Sequence, residues 1–322
     1  MLRRSRGHLA ALLLATSLLV TACGSDKQGA TSTPGQPDKV TVGVIPILDV
    51  APIYLGLERN FFKDHNIDLT LKQAEGGAAI VPAVVSGEYQ FGFSNSVSLL
   101  LAQSQTLPIK AVANGVNSTG EDGKDFAGLF VRPDSPIKTP KDLEGRKVAA
   151  NTLQNIVDTS VRASVREDGG DPAKVEFTAL PFPDQLPALQ NGQVDAIFVV
   201  EPFQQAATAA GMRKIASSYV DVAPDLCVAL YFTSEELLGQ NPDLVKRFTD
   251  AMKESLKYAN DNPGEAREII GTYTKIAPEV IAKVTLPKWP PDINRDSIEK
   301  LADLAKDDKL LTNPVDVSKL LP

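Results

Sequence analysis

A hexapeptide pattern, Pro-Ala-x-x-x-Gly, occurs twice in this chain, 105 positions apart, and each copy runs straight into a short apolar stretch and then a polar one. The first copy is PAVVSGEYQFGFSNSVS at 82–98 and the second is PALQNGQVDAIFVVEPF at 187–203. Proline fits the first turn of a helix, where its missing N–H is unpaired anyway, and Gly87 and Gly192 suit a left-handed helix stop. The apolar runs that follow are continuous, not alternating, as in strands covered on both faces. The spacing therefore predicts a helix, a buried strand and a ligand-facing loop, built twice. In parallel α/β sheets, ligands bind beyond the carboxyl ends of the strands, which directs attention to Ser94-Asn95-Ser96 and Glu201-Pro202-Phe203. Two such edges imply two lobes facing each other across a cleft.

The rest of the chain fits that plan. Residues 39–44 read as a first strand, 53–62 as a helix with Ile53, Leu57 and Phe61 on one face, and 67–71 as a second strand; Gly76-Gly77 opens the helix that ends at Gly87. A further strand is expected at 107–113, a polar surface excursion at 114–125, and a first crossing between lobes at 128–132. Strands at 175–180 and 196–200 alternate with helices in the second lobe, and 225–233 crosses back before a mostly helical remainder. The expected division is 39–132 and 225–322 for the first lobe, with 133–224 inserted as the second. The fold class is α/β, each lobe a mostly parallel sheet flanked by helices and joined to the other by two hinge strands.

The N-terminus obeys different rules. Arg3, Arg4 and Arg6 precede an apolar run at 9–20, short for a membrane span and laid out as an export signal, followed by Val-Thr-Ala-Cys-Gly at 20–24. This resembles a bacterial lipobox, so residues 1–22 are expected to be removed and Cys23 to carry a lipid that holds the protein outside the cell on its membrane. Residues 23–38, rich in Gly, Ser, Thr, Pro and Gln, read as a flexible tether. Loss of the three signal arginines takes the net charge from −7 to −10, which disfavours a nucleic-acid partner. Cys227 is the only other cysteine, and it reads as a small buried hydrophobe. Trp289 reads as a packing anchor for the last helices.

Taken in order, Ala51-Pro-Ile-Tyr-Leu-Gly56 with Phe61-Phe62, Ser86-Gly87 with Phe91-Gly-Phe93, Asp142-Leu143 with Gly145, and Gly192 with Asp195-Ala196 and Glu201-Pro202 resemble the solute-binding lipoproteins of the nitrate, sulfonate, taurine and thiamine-precursor binding family. That resemblance implies a type II periplasmic-binding fold, a small-molecule solute captured between the lobes, and delivery to a membrane permease driven by a cytoplasmic ATPase. It implies a monomer, no cofactor, no metal and no catalysis. Relatives of the same fold that synthesise a thiamine pyrimidine use a cysteine-rich motif and histidine chemistry. Here His65 is the single histidine beyond the export signal, and no Cys/His cluster accompanies it. A sensory module for a membrane receptor would need the same cleft.

The loops after strand ends supply the expected ligand-binding residues: Asp49 and Ala51, Gly77, Asn95 and Ser96 in the first lobe, Thr152 and Asn155 in the second, and Glu201 with Phe203 opposite. Asn, Ser and Thr both donate and accept, and so leave ligand charge open. Asp49 and Glu201 argue against a simple anion, whereas helix N-termini favour one. Asp49 has a second reading as a cap of the following helix.

Overall fold

The computed structural model describes residues 36–322; the export signal, Cys23 and nearly all of the tether lie outside the described residues. Ten strands form two five-stranded sheets. The first sheet takes β1 (Asp38–Val44), β2 (Ile67–Gln73), β3 (Phe91–Asn95), β4 (Ile109–Asn117) and β10 (Cys227–Ser234) in the order β2-β1-β3-β10-β4. The second takes β5 (Ala127–Val131), β6 (Lys147–Ala150), β7 (Glu176–Ala179), β8 (Ala196–Val200) and β9 (Arg213–Ala216) in the order β7-β6-β8-β5-β9. Each sheet is thus the same arrangement, with a single reversed strand in the fourth place: β10 is antiparallel to β3 and β4, and β5 is antiparallel to β8 and β9.

The reversed strands are the two segments that the sequence marks as crossings between lobes. They lie wholly within sheets, buried on both faces, and the actual crossings are the stretches before them, 118–126 and 217–226. Geometry explains the reversal. Strands β4 and β9 end at the carboxyl edges of their sheets, so a chain that leaves from that edge must enter the other sheet at its facing edge and run away from it. The register agrees: Cys227, the first residue of β10, pairs with Asn117 at the end of β4, and Ala127, the first of β5, pairs with Val200 at the end of β8.

The repeated unit occupies matching places. β3 and β8 are the third strands of their sheets, each buried throughout and each preceded by a glycine at positive φ, Gly87 at 79° and Gly192 at 68°. The prolines differ from expectation. Pro82 and Pro187 sit in the interiors of the helices Gly77–Val85 and Phe182–Gln190 and not in their first turns; the first of these helices does open at Gly77, where the Gly76-Gly77 pair placed it. The helix expected at 53–62 is also broken, into Ala51–Glu58 and Phe61–Asp64, by Asn60 in the left-handed region at φ 66°.

Each sheet is covered by helices that bury its apolar faces. In the first lobe the long helix Pro242–Asp261 lays Leu244, Phe248, Met252 and Leu256 inward, with Phe248 stacked on Phe91 at 3.8 Å between ring centroids. Burying such side chains stabilises the fold by about 1.5–3 kcal/mol each. The same packing holds the strand ends, and therefore the site, in fixed positions.

Candidate functional site

The carboxyl edges of the two sheets face each other, and the lobes are closed upon one another. Asn95, at the end of β3, caps the helix Ser96–Ser104 by accepting from Ser98 N at 2.9 Å, and the same Oδ1 accepts from Ile156 N of the second lobe at 3.3 Å. Asn151 Nδ2 reaches back to Glu75 O at 3.4 Å. Asn155 caps the helix Ile156–Glu167, taking Val157 N on its Oδ1 at 2.9 Å, and its Nδ2 donates to Asn151 Oδ1 and Thr152 Oγ1, both at 2.9 Å. A Cβ placed on Gly76 would lie 2.7 Å from Thr152 Cγ2, so the loops touch backbone to side chain across the gap. On the flank, Arg166 of the second lobe pairs with Asp308 of the first at 2.5 Å.

A second cluster forms where the crossings meet the sheets. Glu201 N donates to Phe126 O at 2.9 Å, and Glu201 O accepts from Leu48 N at 3.0 Å, across the lobes. The Glu201 carboxylate accepts three bonds, from Thr285 N and Gln204 Nε2 on Oε1, each at 3.1 Å, and from Gln205 N on Oε2 at 3.0 Å. Burial nevertheless pushes its pKa up to about 7, against these bonds and the nearby charge of Lys214, which favour the ionised form. Its peptide bond to Pro202 is cis.

Asp49 stands beside this cluster in a different condition. It lies in the short 3-10 turn Leu48–Val50, 3 % exposed, and it does not cap the helix that follows. Trp289 Nε1 donates to its backbone oxygen at 3.1 Å, but Oδ1 of its side chain has no partner among the described residues. Burial raises the Asp49 carboxyl to about 7, against a hydrogen bond from its own backbone N–H, and the charge of Asp125 adds to the rise. Asp125 is raised by burial as well; its Oδ1 accepts from Thr119 N and Oγ1 at 2.8 and 3.0 Å, while Oδ2 also lacks a partner. The Tyr231 hydroxyl on β10 is buried and has no partner among the described residues; burial raises its pKa well above the ordinary value, and the nearby Tyr54 and Asp49 add to the rise.

The sequence-predicted residues therefore fall into groups. Gly77, Asn95, Thr152 and Asn155 come together at the closure; a Cβ on Gly77 would lie 1.9 Å from Ser94 Oγ, so its helix starts against the end of β3. Asp49 and Glu201 share the second cluster. Ala51 is buried at the start of its helix, Ser96 Oγ donates to Cys227 O at 2.7 Å, and Phe203 packs on Phe182 at 5.8 Å between ring centroids, so all three are engaged with the protein's own framework. Sequence reasoning missed Asp125, Tyr231, Thr285 and Lys214. Residues 114–125, expected to be a surface excursion, bury Asn114, Asn117, Ser118 and Asp125, because these polar groups bond to one another and to the returning crossing: Asn114 Nδ2 to Asn117 Oδ1 at 3.0 Å, Asn117 Nδ2 to Asp225 Oδ1 at 3.0 Å, Ser118 Oγ to Pro224 O at 3.1 Å. An Asp directly before the apolar run of β5 was the available signal.

Among the described residues no group of three or more His, Cys, Asp and Glu side chains is placed to hold a metal ion. His65 Nε2 lies 3.5 Å from Glu254 Oε2, and Cys227 is fully buried with its thiol pushed up to about 12 by that burial.

Two α/β lobes thus face each other with the polar ends of their strands between them. The family described as NMT1/THI5 like matches residues 48–266, and the chain belongs to it. The taurine-binding periplasmic protein of Escherichia coli is 27 % identical over 193 residues, 59 % of this chain and 57 % of that protein, so the chain spans little more than half the length of that relative. A 4-amino-5-hydroxymethyl-2-methylpyrimidine phosphate synthase of Saccharomyces cerevisiae is 21 % identical over 229 residues, covering 67 % of this chain and 64 % of the enzyme. Among solved structures, the alkanesulfonate-binding protein of Xanthomonas axonopodis superposes with a TM-score of 0.75 at 16 % identity, over 89 % of this chain and 99 % of that one. The fold is the two-lobed periplasmic-binding fold.

Proposed function

We propose that the protein is an extracytoplasmic solute-binding lipoprotein of an ABC importer. It holds a small organic solute between its lobes and hands it to a permease coupled to a cytoplasmic ATPase. The observation that carries this reading is a pair of lobes whose strand-end loops bond directly to each other, with the buried Asp49 carboxyl, its Oδ1 without a partner among the described residues, beside the crossings. Closure of this kind replaces water around a solute with fixed donors and acceptors, and the solute stabilises the closed form by its extra affinity for it. Asn95, Thr152 and Asn155 contribute the polar rim, and Glu201 acts by holding Thr285 and the 48–50 turn in place. The location and function of the taurine-binding relative support the reading, as does the lipobox resemblance at Cys23. A monomer suffices, since both sides of the cleft come from one chain.

Catalysis is the second reading, favoured by the similarity to the pyrimidine phosphate synthase. One experiment separates the two. The protein is titrated with taurine, alkanesulfonates, nitrate and aminopyrimidines while the fluorescence of Trp289, the sole tryptophan, and the melting temperature are followed. A binder recovered chemically unchanged is the expected result; a binder recovered altered would transfer the assignment to an enzyme.

A further inference from the structure

The lobes also meet away from the strand ends, where the helix Arg295–Asp307 reaches from one to the other. Its start is fixed to the first lobe: Asn294 caps it by accepting from Ser297 N at 3.3 Å, and Ser297 Oγ accepts from Cys227 N of β10 at 3.0 Å. Beyond its end, Asn313 Nδ2 donates to Ser104 O of the first lobe at 2.8 Å. Ile298, Leu301 and Ala305 are buried, and the helix packs against both Ser96–Ser104 of the first lobe and Ile156–Glu167 of the second. Asp308, its C-cap, is therefore a first-lobe group presented to a second-lobe helix. The Asp308 side chain is 5 % exposed; Oδ1 accepts from Arg166 Nη2 at 2.5 Å, while Oδ2 is buried with no partner among the described residues.

The second-lobe helix carries charges at four-residue steps, Asp158, Arg162 and Arg166, a spacing that keeps them on one face. Asp158 steadies the helix start by accepting from Asn155 N at 3.4 Å. Arg162 lies over the Phe177 ring, its guanidinium carbon 5.0 Å from the centroid, and donates from Nη1 to Pro172 O, but its Nε is buried with no partner among the described residues. Burial raises the Asp308 carboxyl, and the charges of Arg166 and Arg162 oppose the rise. The same helix opens at Ile156, whose N–H donates to Asn95 Oδ1 of the first lobe at 3.3 Å. Ile156 and Arg166 lie ten residues, about 15 Å, apart along it. A single contact would leave a pivot about which the lobes could swing; two contacts that far apart on a rigid helix stop the swing until one of them breaks. The bond at Ile156 is long and between neutral groups, whereas the pair at Arg166 is short and charge-assisted and so resists opening more. We propose that Asp308 and Arg166, with Arg162 beside them, form a latch outside the cleft that holds the lobes closed with no solute bound. Asp308 is then a positioning residue for capture, because it sets the share of the protein already in the closed form. The latch rests on the solute-capture reading only in taking the closed form as the one that holds solute.

The test follows the distance between the lobes in the full-length protein, as its host processes it, with no solute added. Spin labels are placed at Glu88→Cys and Gln193→Cys; both positions are exposed, and each follows the glycine ahead of β3 or β8, at the end of its sheet away from the facing edge. Cys227 is fully buried and stays unlabelled, and singly labelled controls identify any distance that involves Cys23. The expected result is a short-distance population at low ionic strength whose ratio to the long-distance one falls at least about fivefold in Asp308→Asn and in Arg166→Gln. The two substitutions together should open the protein no further than the stronger one alone, and added salt should open the parent more than either variant. Arg166 is 38 % exposed, so Arg166→Gln carries the test if Asp308→Asn fails to fold. An unchanged distribution in folded Arg166→Gln, or a shift toward the short distance, overturns the latch, as do fully additive effects of the two substitutions. A parent that is wholly open without solute overturns it too, and so does one that keeps the short distance in every variant. Solute capture is decided separately by the titration above, so loss of the latch and loss of the capture reading are told apart.

Discussion

Glu201→Gln should reverse its effect on stability between acid and alkaline pH. In the folded protein the carboxyl is buried and raised from its ordinary 4.5 to about 7. Between those values the native state binds a proton that the unfolded chain has released, so native stability falls as pH rises, and above about 7 the loss is complete. A shift of that size is worth about 3 kcal/mol. Glutamine removes the titration and keeps the shape. Its carbonyl can still accept from Thr285 N and Gln204 Nε2, but its NH2 group meets Gln205 N, a donor facing a donor, at a cost of about 1–2 kcal/mol. The variant should therefore be less stable than the parent by about 1–2 kcal/mol at pH 5, where the parent has lost little of its protonation advantage, and more stable by a similar amount at pH 8.5. Urea unfolding of both proteins across pH 4.5–9 measures the difference directly, because Asp49 and the other titrating groups are common to both and cancel. Parallel stability curves, with no crossing near neutrality, would refute the claim that Glu201 is held as a desolvated acid.

Two further outcomes are expected. Gly76→Ala adds a methyl 2.7 Å from Thr152 Cγ2 and 3.3 Å from Asn151 Nδ2 of the opposite lobe, in an extended backbone that any residue adopts; it should favour the open form, seen as a larger radius of gyration in solution scattering, and an unchanged scattering profile would show that the lobes do not meet there. Cys23→Ser should move the protein from the membrane fraction to the soluble one in its host, and continued membrane association would discredit the lipid anchor.

The framework of the fold was legible because it depends on patterns the sequence displays. Continuous apolar runs mark β3 and β8, and glycines in the left-handed region stop the helices before them. The strand-end loops followed from strand order, which is why Asp49, Asn95, Thr152, Asn155 and Glu201 were all found near the facing edges. The reversed direction of β5 and β10 was not legible, since a buried strand reads the same in either direction. Nor was the burial of 114–125. Its asparagines, serine and aspartate are polar in composition, and part of what lets them leave water comes from far away in sequence, from the returning crossing at 217–226 and from Pro290 O.

The same distinction separates two carboxylates that look alike in sequence. Glu201 and Asp49 each follow a buried strand, each lies at the facing edge of its lobe, and burial raises each to about 7. Yet Glu201 already accepts bonds from both lobes, so its removal should act through the framework, whereas Asp49 keeps an oxygen unpartnered among the described residues. An acid whose hydrogen bonds are satisfied by the protein has little left to offer a solute. A buried acid with an unpaired oxygen is costly to the protein alone, and that cost falls when it takes up a proton or when something else supplies a donor. Uncommitted bonding capacity, not position along the strand, is therefore the property in which the two carboxylates differ.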